Sequence, residues 1–250
     1  MAEEFKFPTE VIDLPSEGKL YPPDSPLTTG KVEVKYMTAK EEDILTSQNL
    51  IKKGVVIDKL LNSLIVTEGV STDDLLIGDK NAVMVAARIL AYGGDYTVEV
   101  TNPNTGEKST HTFDLTSCEF KELPDSVDYS ENNFELELPI SKVNITFKLL
   151  TGRDDNNINQ ELKSLQKIGK QSEVTTRLRY VITSVNGETS KSVISNFVDN
   201  MLSKESLILR DEIQRINPDI NLKQEIEMED ETTEVDIPMT VEFFWPKTGA

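Results

Sequence analysis

With 250 residues, of which 37% are hydrophobic and 28% charged, the chain can bury a sizeable core as one large domain or two small ones. Its formal charge of −18 works against nucleic-acid backbones and anionic membrane surfaces, both of which call for clustered Lys and Arg. A basic protein partner fits better, although acidity is also a plain solubility device.

The single cysteine, Cys118, excludes an internal disulfide and any cysteine-cluster metal site. No stretch approaches the ~18 apolar residues of a membrane helix. The opening Met1-Ala2-Glu3-Glu4 lacks the basic start and apolar run of a signal peptide, so a cytoplasm is the expected compartment.

Residues 1–30 read as an extended arm. Phe7-Pro8, Leu14-Pro15, Tyr21-Pro22-Pro23 and Ser25-Pro26 break helices and inner strands. Phe5, Phe7, Val11, Ile12, Leu14, Leu20 and Tyr21 are nevertheless too apolar for a solvated tail. Both facts fit an arm lying on a surface, its own or a neighbour's.

A module over 31–250 follows, helical at 38–93. After the short strand Val32 to Met37, Thr38-Ala39-Lys40-Glu41 has the spacing of a capping box and starts a helix to about Gln48. A second helix, Val55 to Val66, puts Ile57, Leu60, Leu61, Leu64 and Ile65 on one face. A third, Asp79 to Tyr92, is apolar nearly all round and stops at Gly93-Gly94, which marks it as the central helix. From 95 to 150 the period changes to two: Tyr96, Val98 and Val100 alternate, and strands follow around 109–115, 134–138 and 143–150, predicting antiparallel sheet. Helices return over 153–217. One stripe is Ile158, Leu162, Leu165, Ile168; another is Val174, Leu178, Val181, Ile182, Val185; two more helices end before Pro218, and all four should pack as neighbours. A hairpin over 222–246 closes the chain, with seven acids from Glu225 to Asp236 and the only tryptophan, Trp245. The expected fold is α+β: a helical core built from two helix blocks, a middle antiparallel sheet and a C-terminal β-hairpin.

Chemistry is hard to find in these residues. His111 is the only histidine and sits in a strand-like run, so no two-histidine metal motif exists. Counting a calcium loop from Asp155 places Asn157 and Asn159 correctly, but Gln160 falls where glycine is needed and Gln166 where a bidentate glutamate is needed. Asp154 or Asp155 as a helix cap explains that run equally well. Glu225, Glu227 and Glu229 share a strand face and read as a solvated face or a cationic groove. Arg177 and Arg179 beside Tyr180 are too few for a nucleic-acid patch. No catalytic, cofactor-binding or metal-binding residue is assigned, and no small-molecule substrate. The partner-binding candidates are Leu14, Leu20 and Tyr21 in the arm, with Phe244 and Trp245 at the end; alternation sends Phe243 inward and Phe244 to the other face. That aromatic cluster is either the plug of a core or an anchor for a partner.

Several phrases resemble the baseplate hub and hub-assembly protein family of T-even-like contractile-tailed bacteriophages. They are Leu14-Pro15-Ser16-Glu17-Gly18-Lys19-Leu20-Tyr21-Pro22, Val34-Lys35-Tyr36-Met37-Thr38 to Leu45, Gly54 to Leu61, and Gly78-Asp79-Lys80-Asn81-Ala82. Val193 to Val198, Pro218-Asp219-Ile220 and the ending Ile237 to Pro246 continue the likeness. The resemblance implies a non-enzymatic protein of tail morphogenesis, in the host cytoplasm during assembly and in the virion if it stays. It would contact other baseplate and hub proteins as a resident subunit or as an assembly chaperone that leaves. Some relatives carry cysteine pairs in β-hairpins that look like small metal-binding ribbons. Here Glu227-Met228-Glu229-Asp230-Glu231 stands where the C-terminal pair would fall, so packing must hold that hairpin. An alternative role is an acidic binding module that sequesters a basic protein partner.

Overall fold

The computed structural model describes residues 7–101, 105–106, 108–228, 231–239 and 241–244. The N-terminal segment is woven into the fold from its first described residues. Thr9–Asp13 (β1) pairs antiparallel with Lys31–Lys35 (β2). Alternation places Val32 and Val34 of β2 in the core while Lys31 and Glu33 face water. A left-handed Gly30 turns the chain into β2.

The first helical block follows as Ala39–Thr46 (α1), Gln48–Lys53 (α2), Val56–Leu64 (α3) and Ile77–Tyr92 (α4). The expected capping box starts α1, with the Glu41 carboxylate accepting the Thr38 backbone N–H at 3.0 Å. The helix expected to reach Gln48 breaks at Ser47 and restarts as α2. Helix α4 is central: Ala82, Val83, Met84, Val85 and Ala87 are all buried, and so are two charged residues, Asp79 and Arg88.

The α+β class is borne out, but the middle of the chain is arranged differently from the single sheet expected over 95–150. Asp95–Thr101 (β3) and Lys108–Asp114 (β4) form a hairpin of their own. Phe134–Glu137 (β5) and Asn144–Phe147 (β6) belong to a second sheet, completed after Gly152–Lys167 (α5) and Glu173–Val181 (α6) by Ile182–Val185 (β7), in the order β5-β6-β7. Sequence periodicity had placed Ile182 and Val185 on a helix. The β-branched run Val181-Ile182-Thr183, followed by the turn at Asn186-Gly187, pairs with β6 instead. Lys191–Asn200 (α7) and Ser203–Ile216 (α8) follow, then the hairpin Lys223–Met228 (β8) with Glu231–Asp236 (β9).

Two hydrophobic cores result. One gathers α3, α4, β2 and the hairpin β3–β4, and takes in Leu14, Leu27, Phe243 and Phe244. The other lies between the sheet β5-β6-β7 and helices α6 to α8, and takes in Leu20 and Leu76. Tyr21 packs against both. No helix among the described residues is long and apolar enough to cross a membrane.

Candidate functional site

The stretch Leu14 to Pro22 is held by several turns, close approaches and long-range bonds at once. It turns through left-handed Glu17 (φ 55°) and Gly18 (φ 79°), then again at Leu20 (φ 72°), a conformation that costs a bulky residue energy unless its surroundings impose it. They do. A Cβ on Gly18 would sit 2.4 Å from the Thr28 carbonyl oxygen, so only glycine fits this close approach. The Leu14 N–H donates to Gly30 O at 2.8 Å and the Leu20 N–H to Tyr129 O at 3.2 Å.

At its centre lies Asp79, in the first turn of α4 and 0% exposed. Its carboxylate accepts the Ser16 N–H (2.9 Å), the Ser16 hydroxyl (2.6 Å) and the Tyr21 hydroxyl (2.6 Å). The Tyr21 oxygen in turn accepts the Leu76 N–H at 2.9 Å. An acid at a helix N-terminus is favoured by the dipole. Burial raises the Asp79 pKa, the hydrogen bonds from Ser16 and Tyr21 pull it back, and nearby Asp219 adds to the rise; the net direction is upward. Burial and the Asp79 carboxylate also push the Tyr21 phenol far up. A carboxylate, a hydroxyl and a phenol in one cluster are groups that can move protons. Ser16 and Tyr21 engage both carboxylate oxygens, and the adjoining cleft of about 490 Å³ is lined by Tyr21 and Leu76 but not by Asp79 or Ser16. What the cluster does is fasten the arm to the start of the central helix.

The phrase Gly78-Asp79-Lys80-Asn81-Ala82 is a run of such joints. A Cβ on Gly78 would lie 1.8 Å from Pro218 O, so the loop after α8 docks directly on the helix backbone. Lys80 pairs with Asp58 of α3 at 2.5 Å. Asn81 donates to Asp219 at 3.1 Å, and Ala82 is buried.

Phe243 and Phe244 are a core plug in this structure. Val241–Phe244 is a 3-10 turn, so the strand alternation that was to send Phe244 to the opposite face does not apply, and both phenylalanines are 0% exposed. Their rings meet edge to face at 5.4 Å, and Phe243 meets Tyr96 at 4.9 Å. Arg88 holds this end in place: its guanidinium donates to the carbonyls of Phe243 (2.9 Å), Gly93 (2.9 Å) and Asp95 (3.1 Å). Trp245 lies outside the described residues. Of the expected partner-binding side chains, then, Leu14 (1% exposed), Leu20 (6%) and Phe244 are spent on the chain's own cores, and Tyr21 on Asp79. Apolar side chains that had looked free for a partner found their burial within the chain.

The remaining sequence candidates are structural. His111 stands on β4 opposite Val98 and bonds Ser109 Oγ at 2.8 Å. The run whose spacing falls short of a calcium loop is the first turns of α5, as the helix-cap reading expects: Thr151 caps it, Asp154 completes the capping box, and Asn159 donates to Asp155 within the helix at 3.0 Å. Glu225 is exposed on β8 opposite Glu234, which pairs with Lys223 at 2.8 Å; Glu229 lies outside the described residues. Cys118 accepts from Gln224 of β8 at 3.7 Å. Among the described residues there is no group of three His, Cys, Asp or Glu placed to hold a metal ion. Asp79, Ser16 and Arg88 were missed from sequence, although an acid and an arginine inside so apolar a helix were the signal.

A family model described as T4 bacteriophage base plate protein matches residues 7–245. The chain belongs to the T4 bacteriophage base plate protein family. Searches of curated proteins and of solved structures gave no match. The baseplate-family match begins at Phe7 and ends at Trp245. The Asp79 latch, both cores and the buried Phe243 and Phe244 all lie inside that span.

Proposed function

We propose that this baseplate-family chain is a tail hub assembly protein or hub structural subunit that acts non-enzymatically, through contacts with other baseplate proteins during tail morphogenesis. The family match over residues 7–245 is the observation that carries the reading. The resemblance of its phrases to hub and hub-assembly proteins supports the narrower role. So does the employment of Ser16, Tyr21 and Asp79, the groups best suited to proton chemistry, in fastening the arm.

The test is a phage lacking this gene, together with mass spectrometry of purified virions against infected-cell lysate. Loss of assembled baseplates in the knockout is expected, and normal baseplates would overturn the reading. Stoichiometric presence in particles makes the chain a resident subunit; presence in lysate alone makes it a factor that leaves.

A further inference from the structure

The chain carries 44 acidic residues, yet the stretches 44–57 and 162–172 hold none. The first takes in the end of α1, all of α2 and the start of α3. The second takes in the last turns of α5 and the turn after it. The fold brings the two together. The Lys163 ammonium donates to Lys53 O at 2.6 Å, at the end of α2, and a Cβ on Gly54 would lie 3.0 Å from the same ammonium.

Five lysines gather around this joint: Lys52 and Lys53 from α2, Lys163 and Lys167 one turn apart on α5, and Lys170 just beyond it. All are exposed, and none has a carboxylate partner among the described residues. The helix dipole favours cations at the ends of α2 and α5, but it leaves their charges without a counter-ion. Beside them opens a cleft of about 600 Å³, lined by Leu162, Lys163, Lys170 and Val174 among others. Its one acid, Glu173, is engaged by Arg177 at 3.5 Å. Val174 is 48% exposed; Ile168, in the turn between Lys167 and Lys170 but outside the cleft, is 67% exposed.

We propose that this patch docks an acidic segment of a partner protein, with carboxylates against the five lysines and an apolar side chain seated in the cleft with Leu162 and Val174. Charge complementarity selects the occupant: a surface of unpaired cations in a chain of −18 is matched by carboxylates and by little of the chain around it. A nucleic acid fits less well. Neither stretch holds an arginine or an aromatic residue, the groups that fork onto phosphates and stack on bases. Exposed Val174 and Ile168 also suit a protein segment better than a run of phosphates. The −18 of the whole chain opposes every polyanion at long range, and the most densely charged ones hardest. At physiological ionic strength that field is screened beyond about 8 Å, so for a segment with a few carboxylates the lysines at contact distance decide the sign. The proposal rests on the reading of the chain as a protein that works through protein contacts, and it adds the surface and the chemistry of what it holds.

The experiment uses the full chain and a fluorescein-labelled peptide in which glutamates are interspersed with leucines. Two companion peptides replace the glutamates with glutamine or the leucines with serine. The acidic peptide is expected to bind, the glutamine peptide not, and the serine peptide several-fold more weakly. In a variant combining Lys52→Glu, Lys167→Glu and Lys170→Glu, binding should fall at least about tenfold. These side chains are exposed and bond nothing among the described residues, so a thermal melt matching the parent confirms that the variant is folded. Lys191→Glu with Lys204→Glu, at exposed lysines of α7 and α8, should leave binding unchanged. Absence of acidic-peptide binding, equal binding of either companion peptide, or equal losses from the two sets of reversals would overturn the proposal. So would tighter binding of a labelled single-stranded DNA or of phosphatidylserine vesicles, which would assign the patch to phosphates. Self-association in sedimentation that the triple variant abolishes would assign it to a second copy and overturn it too. None of these outcomes bears on the knockout or the virion composition, so the patch can fail while the assembly role stands.

Discussion

The Tyr21 hydroxyl donates to Asp79 at 2.6 Å across 58 residues of chain, and the same oxygen accepts the Leu76 amide. One phenol thus ties the arm to the central helix and caps a backbone donor ahead of it. Tyr21→Phe should cost about 1–3 kcal/mol, because the Leu76 amide loses its acceptor while Asp79 Oδ2 loses one of its two donors and keeps the Ser16 hydroxyl. Asp79→Ala should cost more, about 3–5 kcal/mol, by leaving both Ser16 donors and the phenol unpaired in a dry site. Urea unfolding of the two single variants and the double variant measures the coupling. Strict additivity would show that the latch is not one unit.

Stability should depend on pH through the same carboxyl. Burial dominates the upward shift of both Asp79 and Asp219, which sit above their ordinary value of 3.8. A raised carboxyl favours the fold in its protonated form. Its contribution is therefore complete below that value and is lost as pH rises through the folded-state pKa. Relative to Asp79→Asn, the parent chain should lose stability on going from about pH 4 toward neutrality and then level off. Parallel urea midpoints for the two proteins across that range would contradict the assignment.

Glu205 provides the opposite slope. Its carboxylate accepts the amides of Ile140 (2.9 Å) and Ser141 (2.7 Å), in the turn between β5 and β6. Burial pushes its pKa up, but the hydrogen bonds from that turn outweigh it and the net shift is below 4.5. The contribution is present above that value and is lost as pH falls through the folded pKa. Glu205→Gln should cost about 1 kcal/mol at neutral pH, and the gap to the parent should close in acid. Amide exchange at Ser141 reports the same loss locally.

Glycine positions separate contact from conformation. Gly78→Ala would drive a methyl into Pro218 O at 1.8 Å, and Gly152→Ala into Thr72 O at 2.0 Å, backbone in both cases. Each should cost at least about 2 kcal/mol. Gly187 has a left-handed φ of 84° but open space around a Cβ, so Gly187→Ala should cost only about 1 kcal/mol. Equal thermal shifts for the three would refute the close approaches.

Removing residues 1–30 should not leave the remainder folded, contrary to what an accessory arm implies. The deletion takes β1 from β2 and withdraws Leu14 and Leu27 from one core and Leu20 from the other. Each such leucine is worth about 2–5 kcal/mol. The truncated chain should lack a cooperative melt, and a sharp transition near that of the parent would show that the arm is dispensable to the fold.

What could be read from sequence was local. Thr38 and Glu41 announced a helix start because a capping box closes within one turn. The hairpin after Gly93 followed from strict alternation. Residues 182–185 were misread because a β-branched run continues a helical stripe equally well, and only the edge of β6, far back in the chain, decides between them. The arm's destination was hidden for a similar reason. Its apolar residues signalled burial but not where, and the acceptor that fixes it lies 63 residues beyond Ser16. Phe244 was misplaced because a 3-10 turn at the chain end carries no periodicity of its own.

The two bonds that close the first core join Arg88 to Phe243 and Tyr96 to Pro238, spanning 155 and 142 residues. The ribosome therefore makes one side of this core well over a hundred residues before the other. At about 5–20 residues per second, Arg88 of α4 waits roughly 8–30 s for Phe243. During that interval Tyr96 and the buried face of α4 stand open to any apolar neighbour. A core whose two sides are made so far apart is most exposed to wrong partners while it is being made, and a stop before Phe243 would leave that exposure permanent.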